Sequence, residues 1–347
     1  MRILMVTSPI VSLRQPFKGG TEAFVVSVAN GFAKRGHQVD VLCQDADEDN
    51  KFNTLQLQES AFRMQDAITS ENEGQKLFQA AQFGLFDSTA YDVVHFHSYY
   101  HAMYEFAFFH QRSNIITLHS PLSDRLALTH QLNSARGNDR YIAVSSRLAR
   151  GWENTIQSDI AVIPNGIDFD SLPTVGSVKP NRDAVWAGRI CPEKDPVAAI
   201  KAAVLLDIGL DIYGAITDTD YFEKQIRPLL NHTVRYRGHL SHHALLTKFT
   251  DYNVLFISAL WEEPFGLITL EALAMGLPVI GTSPAIPEEL RRAPLTQVID
   301  ITNEFEVKTA YQKALKTSPA SCRQFAKKFD ISHTLEAYEM EYEHARA

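Results

Sequence analysis

Short apolar runs rich in β-branched residues alternate with stretches of helical spacing, and the whole alternation occurs twice. The first series is RILMVT (2–7), QVDVLC (38–43), DVVHFH (92–97), NIITLH (114–119), RYIAVS (140–145) and IAVIPN (160–165). Between its first two runs lies TEAFVVSVANGFAKRG (21–36), apolar at helical spacing and ending in Gly36, a residue that commonly terminates a helix. The second series is AVWAGR (184–189), GLDIYG (209–214), TVRYRG (233–238), NVLFIS (253–258) and LPVIGT (277–282), with helical patterns at 196–206 and 221–230. Strands this apolar, separated by helices, predict parallel sheets covered on both faces. PNGIDFDSLPTVGSVKPNRD (164–183) breaks the rhythm with Pro, Gly, Asn, Asp and Ser and marks a hinge. The expected fold class is α/β, two open domains of one parallel sheet each, facing across a cleft at the carboxyl ends of their strands. The acidic stretch 45–60 reads as a surface excursion, and 330–347 as a terminal helix capped by Asp330 or Ser332.

Composition narrows the function. A length of 347 residues exceeds one ordinary core and favours two domains. A formal net charge of −8 lacks the basic footprint that nucleic acid requires. No apolar run approaches the roughly 20 residues that span a bilayer. MRILMVTSPI reads as a buried first strand rather than a signal peptide. Cys43, Cys191 and Cys322 are far apart with no CxxC pair. They are expected to be reduced and buried in a cytoplasmic protein, and they argue against a metal site.

Ligands of open α/β sheets bind beyond the carboxyl ends of the strands, so the residues there are the candidates. Gly19 and Gly20 precede the first helix, where backbone amides could approach an anion; a flexible loop with a cap explains them as well. Their spacing does not fit the GxGxxG fingerprint of a dinucleotide site. His119 follows a strand directly. His95 and His97 alternate on another strand and share a face, which packing explains as well as function. Arg189 and Lys194 fall in AGRICPEKDP, between a strand and a helix. A guanidinium and an ammonium beside a helix N-terminus suit a diphosphate, though an exposed pair of loop charges has the same sequence.

WEEPFGLITLEALAMGLPVIGT (261–282) places Glu263 and Glu271 eight positions apart. Pro264 suits the first turn of a helix. Glu263 then stands just outside it, and the amides of Phe265, Gly266, Leu267 and Ile268 point at one place. Gly266 would admit a ligand to the backbone. Glu271, inside the helix, is costly to bury without a partner, and sugar or ribose hydroxyls would supply one. A helical rise separates the two acids by roughly 12 Å. Glycosidase carboxylates stand about 5–9.5 Å apart, so the pair fits two contacts along one extended ligand.

These residues are specific enough to carry a family resemblance. EPFGLITLE resembles the E-x7-E signature of retaining glycosyltransferases of family four. GRICPEK resembles that family's Gly-Arg loop with its downstream Lys, and IPNGID its segment at the domain boundary. KGGTEAFVVSVANGFAKRGHQV is similar to its first loop and helix. RGHLSHHALLTKFTDYNVLFISALWEEPFG matches the run into the signature.

The resemblance spans nearly the whole chain with the motifs in order. It implies a GT-B fold of two Rossmann-like domains, acceptor-binding at 1–168 and nucleotide-sugar-binding at 169–329, with a helix at 330–347 crossing back to the first. It also implies a retaining hexosyltransferase acting by front-face attack, with a UDP-sugar as the commonest donor. Arg189 and Lys194 would bind the diphosphate and stabilise the leaving group, and Glu271 would hold the ribose hydroxyls. Glu263, with the amides from Phe265 to Ile268, would contact the transferred sugar. Gly20 would approach the phosphates, His119 would sit beside the sugar near the acceptor side, and Gly238 to Leu240 would line the base. No metal or other cofactor is expected, because the two cations do the work of one. Asp195 stands where many members have Gly, which puts the conformation of that loop in question.

Two other readings stay open: an epimerase or phosphorylase on the same fold, and a sugar-nucleotide-binding protein without transferase activity. The first hundred residues hold more acidic than basic side chains, and no basic amphipathic helix is evident there. A saccharide or small-molecule acceptor, with at most peripheral membrane contact, is therefore expected. The aromatic SYYHAMYEFAFFH (98–110) could serve an apolar acceptor instead.

Overall fold

Each series of apolar runs forms its own parallel sheet. The computed structural model describes residues 1–7, 11–17, 19–56, 90–98, 104, 107, 113–135, 137, 139–156, 158–174 and 181–346. The chain divides into two units. The first is Met1–Phe17, Thr21–Gly166 and Ile331–Ala347, and the second is Lys18–Gly20 and Ile167–Asp330.

In the first unit the described elements are β1 (Arg2–Val6), α1 (Gly20–Lys34), β2 (Gln38–Leu42), β3 (Asn53–Leu55), β4 (Val93–Ser98), β5 (Ile115–Leu118), α2 (Asp124–Ser134), β6 (Arg140–Ala143), α3 (Ser146–Trp152) and β7 (Ile160–Val162). The sheet runs β3-β2-β1-β4-β5-β6-β7, parallel at every pairing. The order reverses between β1 and β4, where Ile3 faces Val93 and Val6 faces Phe96.

The second unit contains β8 (Arg182–Ala187), α4 (Pro196–Leu205), β9 (Leu210–Tyr213), β10 (Val234–Tyr236), α5 (His242–Phe249), β11 (Tyr252–Ile257), α6 (Leu267–Ala274), β12 (Val279–Gly281), β13 (Thr296–Val298), α7 (Glu304–Ala314) and α8 (Pro319–Ala326). Its sheet runs β10-β9-β8-β11-β12-β13, again parallel, with the reversal between β8 and β11. One face of it packs Ala184, Trp186, Ile212, Val254, Phe256 and Ile280 against Ala199, Ile200 and Ala203 of α4 and Val307 and Ala310 of α7. On β11 and β12 lie α5 and α6 respectively. Each buried Val, Ile or Phe side chain among these contributes about 1.5–3 kcal/mol.

The last helix, α9 (Ile331–Arg346), belongs to the first unit. Its buried residues Ile331, Thr334, Leu335, Tyr338 and Tyr342 recur every three or four positions, one helical face. An added Cβ at Gly31 of α1 would come within 2.6 Å of Leu335 Cδ1, so that glycine lets the two helices approach. Glu339 takes hydrogen bonds from Arg35 and pairs with His37, while Glu341 pairs with Arg140. Asp330 is extended (φ −61°, ψ 140°) just before this helix, and Ser332 lies inside it. Gly166 is the last residue of the first unit before the chain leaves it. A Cβ there would lie 2.7 Å from the Ile331 Cα, which explains a glycine in PNGID.

Two sequence expectations change. The stretch 45–60 is no mere excursion: Asp45–Ala46 pairs with Ser12–Leu13, and β3 forms the sheet edge with Asn53 opposite Asp40. Both strands are too short and polar to show periodicity; residues 57–60 lie outside the described set. The helix expected at 221–230 is a π turn, Phe222–Ile226, followed by a 3₁₀ turn, Arg227–Leu229. Pro228 has no N–H and crowds the carbonyl four residues back, so the α pattern cannot continue. Of the hinge, residues 175–180 lie outside the described set, as does most of the aromatic stretch 98–110. The three cysteines are free and buried. Among the described residues no helix is long and apolar enough to cross a membrane.

Candidate functional site

The strand-order reversal in the second unit puts two loops side by side: Gly188–Asp195 after β8 and Ser258–Gly266 after β11. They are fastened together. Leu260 N donates to Glu193 O at 2.9 Å. Ser258 Oγ donates to Asp195 O at 2.6 Å and accepts from Trp186 Nε1 at 3.1 Å.

On the first loop, Arg189 is 40% exposed and donates from Nη2 to Glu193 at 2.9 Å. Lys194 ends a 3₁₀ turn, Pro192–Lys194, and is only 18% exposed. Its ammonium pairs with Glu263 Oε1 and lies 4.9 Å from the centroid of the Trp261 ring. Asp195 adopts the left-handed conformation (φ 43°, ψ 58°) and caps α4 by accepting from Ala198 N at 3.3 Å. Asp tolerates that region better than most side chains, so it serves where glycine would and adds a cap. Burial raises its carboxyl above the usual range.

On the second loop, Glu263 Oε1 also accepts from Trp261 Nε1 at 3.0 Å. The acid is thus held from both sides, by Lys194 and Trp261. Pro264 is not in the helix, contrary to the sequence reading. Gly266 takes φ 67°, ψ 56° as the N-cap residue, and α6 starts at Leu267. The left-handed turn separates Pro264 from the helix, and it accounts for the glycine without a ligand. The Phe265 side chain is buried, its ring centroid 6.1 Å from that of Phe329. Thr269 N donates to Gly266 O at 2.9 Å; Leu267 and Ile268 occupy the first positions of α6, whose amides have no partner within a helix.

Glu271 is buried at 7% exposure. The partner that sequence reading sought in a ligand hydroxyl is already supplied by the protein: His242 Nε2, at 2.8 Å. The Glu271 charge raises the His242 pKa above its ordinary value against the opposing effect of burial. Gly238 (φ +86°) follows β10, and its carbonyl accepts from Gly214 N at 2.9 Å. Gly214 in turn has no room for a side chain, since a Cβ would lie 1.7 Å from Gly188 O. Leu240 is half-buried just before α5.

Gly20 borders the same place, since a Cβ on it would lie 3.2 Å from Leu267 Cδ1, and only His119 lies apart. Gly19 and Gly20 group with the second unit, although Gly20 opens α1. Buried Glu22 sits in the first turn of that helix, so one carboxylate is already at this N-terminus. His119 is in the first unit, just past β5 and 8% exposed. Its Nε2 is 2.9 Å from His97 Nδ1. Burial pushes its pKa down to about 3, so the ring is neutral at physiological pH. His95 is bonded at both nitrogens, to Tyr342 Oη and Thr117 Oγ1 at 2.7 Å each.

The second unit therefore brings Arg189, Lys194, Glu263, Glu271 and Phe265–Ile268 to one reversal point. Sequence reading missed His242, Trp261 and Glu193. Trp261 was visible two residues before Glu263; His242 had no signal, because its partner lies 29 positions away. Among the described residues no group of three or more His, Cys, Asp or Glu could hold a metal ion.

The profile of Glycosyltransferase Family 4 matches residues 18–171, and that of Glycosyl transferases group 1 matches 173–328. The chain belongs to the family-four glycosyltransferases. This glycosyltransferase is 31% identical over 131 residues to the GtfA subunit of the UDP-N-acetylglucosamine–peptide N-acetylglucosaminyltransferase of Streptococcus gordonii, covering 36% of this chain and 25% of that protein. It is 29% identical over 152 residues to the phosphatidyl-myo-inositol mannosyltransferase of Mycolicibacterium smegmatis, covering 41% and 39%. The chain thus spans well under half the length of these curated relatives. HepE of Anabaena, solved with UDP and glucose, superposes with a TM-score of 0.74 at 18% identity, covering 98% of this chain and 99% of that one. That likeness shows the fold of the glycosyltransferase: GT-B, with two Rossmann-like domains.

Proposed function

We propose that this chain is a hexosyltransferase that moves a hexose from a nucleoside diphosphate sugar, foremost a UDP-sugar, to an acceptor hydroxyl with retention. The observation that carries the reading is the junction of Arg189 and Lys194 on one loop with Glu263 and Glu271 beside the next, at a strand-order reversal in a family-four chain. The name of the S. gordonii relative and the UDP and glucose of HepE support the donor class.

In this reading the bond between the sugar C1 and the diphosphate oxygen breaks, and its electron pair goes to the diphosphate. Arg189 and Lys194 neutralise the charge that develops there. Lys194 has three donors, so Glu263 and a phosphate can share it while Trp261 holds Glu263 in place. Glu263 and the amides from Phe265 to Ile268 meet the sugar hydroxyls. Glu271, oriented by His242, holds the ribose. Gly19 and Gly20 approach the phosphates, and Gly238 and Leu240 line the base. The acceptor oxygen bonds to C1 on the face the diphosphate leaves, and the acceptor proton passes to the departing phosphate oxygen. His119, too weak a base to take that proton, contributes a hydrogen bond to a substrate hydroxyl. The two cations leave no step for a metal or other cofactor. We place the acceptor among saccharides or small molecules and the reaction in the cytoplasm, with membrane contact peripheral at most.

Calorimetric titration with UDP, GDP, ADP and dTDP tests this. One nucleotide should bind, and Arg189→Ala and Glu271→Ala should each weaken it about 10- to 100-fold, the worth of a hydrogen bond to a charged group. Incubation with the matching sugar nucleotide should then give a product of the donor's anomeric configuration by NMR. A folded chain that binds none of the four overturns the reading; an inverted product overturns retention.

A further inference from the structure

We infer that His97 sets the tautomer of His119, so that His119 meets its substrate as an Nδ1–H donor. The second half of this rests on the proposed role of His119; the first half stands on the geometry of the first unit alone.

His97 Nδ1 and His119 Nε2 are 2.9 Å apart, so one of them carries the shared proton. Both rings are neutral, because burial disfavours their charged forms. A neutral imidazole has one N–H and one acceptor nitrogen, which leaves two arrangements. In one, His119 Nε2–H donates to His97 Nδ1, and the proton of His97 is on its own Nε2. That nitrogen is buried and has no hydrogen-bond partner among the described residues. In the other, His97 Nδ1–H donates to His119 Nε2, and the buried His97 Nε2 is a bare lone pair.

The surroundings of His97 decide between them. Phe24 and Tyr338 stand edge to face with its ring. His95, 3.9 Å away between centroids, has both nitrogens engaged elsewhere. A buried N–H without an acceptor is rarer in folded proteins than an acceptor that lacks a donor, so the second arrangement prevails. His119 Nε2 is then committed as an acceptor, and its proton is on Nδ1. This is the minor tautomer of free histidine, held here by a neighbour. It makes His97 a positioning residue: it touches no substrate in this reading, yet determines that His119 offers a donor and not a lone pair.

Long-range ¹H–¹⁵N correlation of the histidine rings of the full chain reads tautomers directly. The expected spectrum has His119 with protonated Nδ1 and pyridine-type Nε2, and His97 protonated at Nδ1. The reverse pattern in the wild type overturns the inference without any variant. His97→Asn keeps a donor near the Nδ1 position and should leave His119 unchanged. His97→Asp offers an acceptor instead and should switch His119 to Nε2–H; an unswitched His119 in the folded variant overturns the inference. Transfer from the sugar nucleotide should fall about tenfold or more in His97→Asp and recover in His97→Asn, with UDP affinity unchanged, as the loss of one directed hydrogen bond requires. If the tautomer switches while transfer is unaffected in both His97→Asp and His119→Ala, the substrate half falls, and UDP binding by the second unit reports separately on the proposed function.

Discussion

In the first unit the wholly buried polar groups between sheet and last helix are neutral: His95, His97, Thr117, Tyr338 and Tyr342, joined by hydrogen bonds and edge-to-face rings. In the second, on the same strand order, charged groups stand near solvent: Arg189, Lys194 and Glu263, with half-buried His242 beside Glu271. The carboxylate of Asp211, 1% exposed, is buried more deeply still than that of Glu271. It takes hydrogen bonds from Arg182, Arg235, Arg237 and Tyr252. Burial would raise its pKa, but these four donors outweigh it and the net shift is downward. One topology thus accommodates two solutions to burying polarity: discharge the groups, or surround them. The first costs stability when protons arrive, and the second leaves cations available to an anionic ligand.

The largest test of this contrast is acid. His95, His97, His119 and His130 all have pKa values lowered by burial, the last two to about 3. Between there and the ordinary value of 6.5, the unfolded chain binds protons that the folded one refuses, so stability falls as pH falls below 6.5. The loss is on the order of 2 kcal/mol per histidine by pH 5. Hydrogen exchange resolved by peptide should show 93–98 and 331–346 losing protection before 184–187 as pH drops from 7 to 4. Simultaneous loss would erase the contrast.

Trp186→Ala should break the second unit instead, by about 3–5 kcal/mol, with the exchange loss confined to 182–330. It also removes the donor to Ser258 Oγ, so nucleotide affinity should drop with it. Tyr342→Phe should cost the first unit about 1–3 kcal/mol, by leaving His95 Nδ1 without its mate, and should not alter nucleotide binding. The smallest effect is opposite in sign to the acid one. His242 has a raised pKa, so its pairing with Glu271 is at full strength below 6.5 and is lost as pH rises through the raised value. The wild-type Tm should decline slightly more than that of His242→Asn between pH 6 and 8; parallel profiles would discard the pair as a stabilising contact.

The parallel strands were legible because buried β-branched runs leave an unmistakable pattern, as at 93–98 and 252–257. β3 was not, since three half-polar edge residues show no period. The cationic loop and the two acids were legible as residue types at strand ends. What each acid touches was not. Glu263 looked like a free ligand group and is held by Lys194 and Trp261; Glu271 looked like a search for hydroxyls and has His242. Such pairings depend on which loops the strand order makes neighbours, and no local spacing encodes that. Gly266 shows the limit from another side: its glycine meets a backbone angle (φ 67°), where sequence alone suggested room for a ligand.

The placement of α9 carries a consequence for synthesis. The first unit is interrupted by 167–330 and completed only by residues from Ile331 onward. During translation the whole of the second unit is made before the first can close. Tyr338 and Tyr342, the hydroxyl-bearing rings against the histidines of β4, emerge only after the second unit is complete. Until then His95 faces water or a provisional partner, and the nascent first unit is an open sheet awaiting its cover. The second unit, continuous in sequence apart from the short segment before α1, can mature on the way. Native order on the ribosome is therefore the reverse of the order in which the two sheets begin.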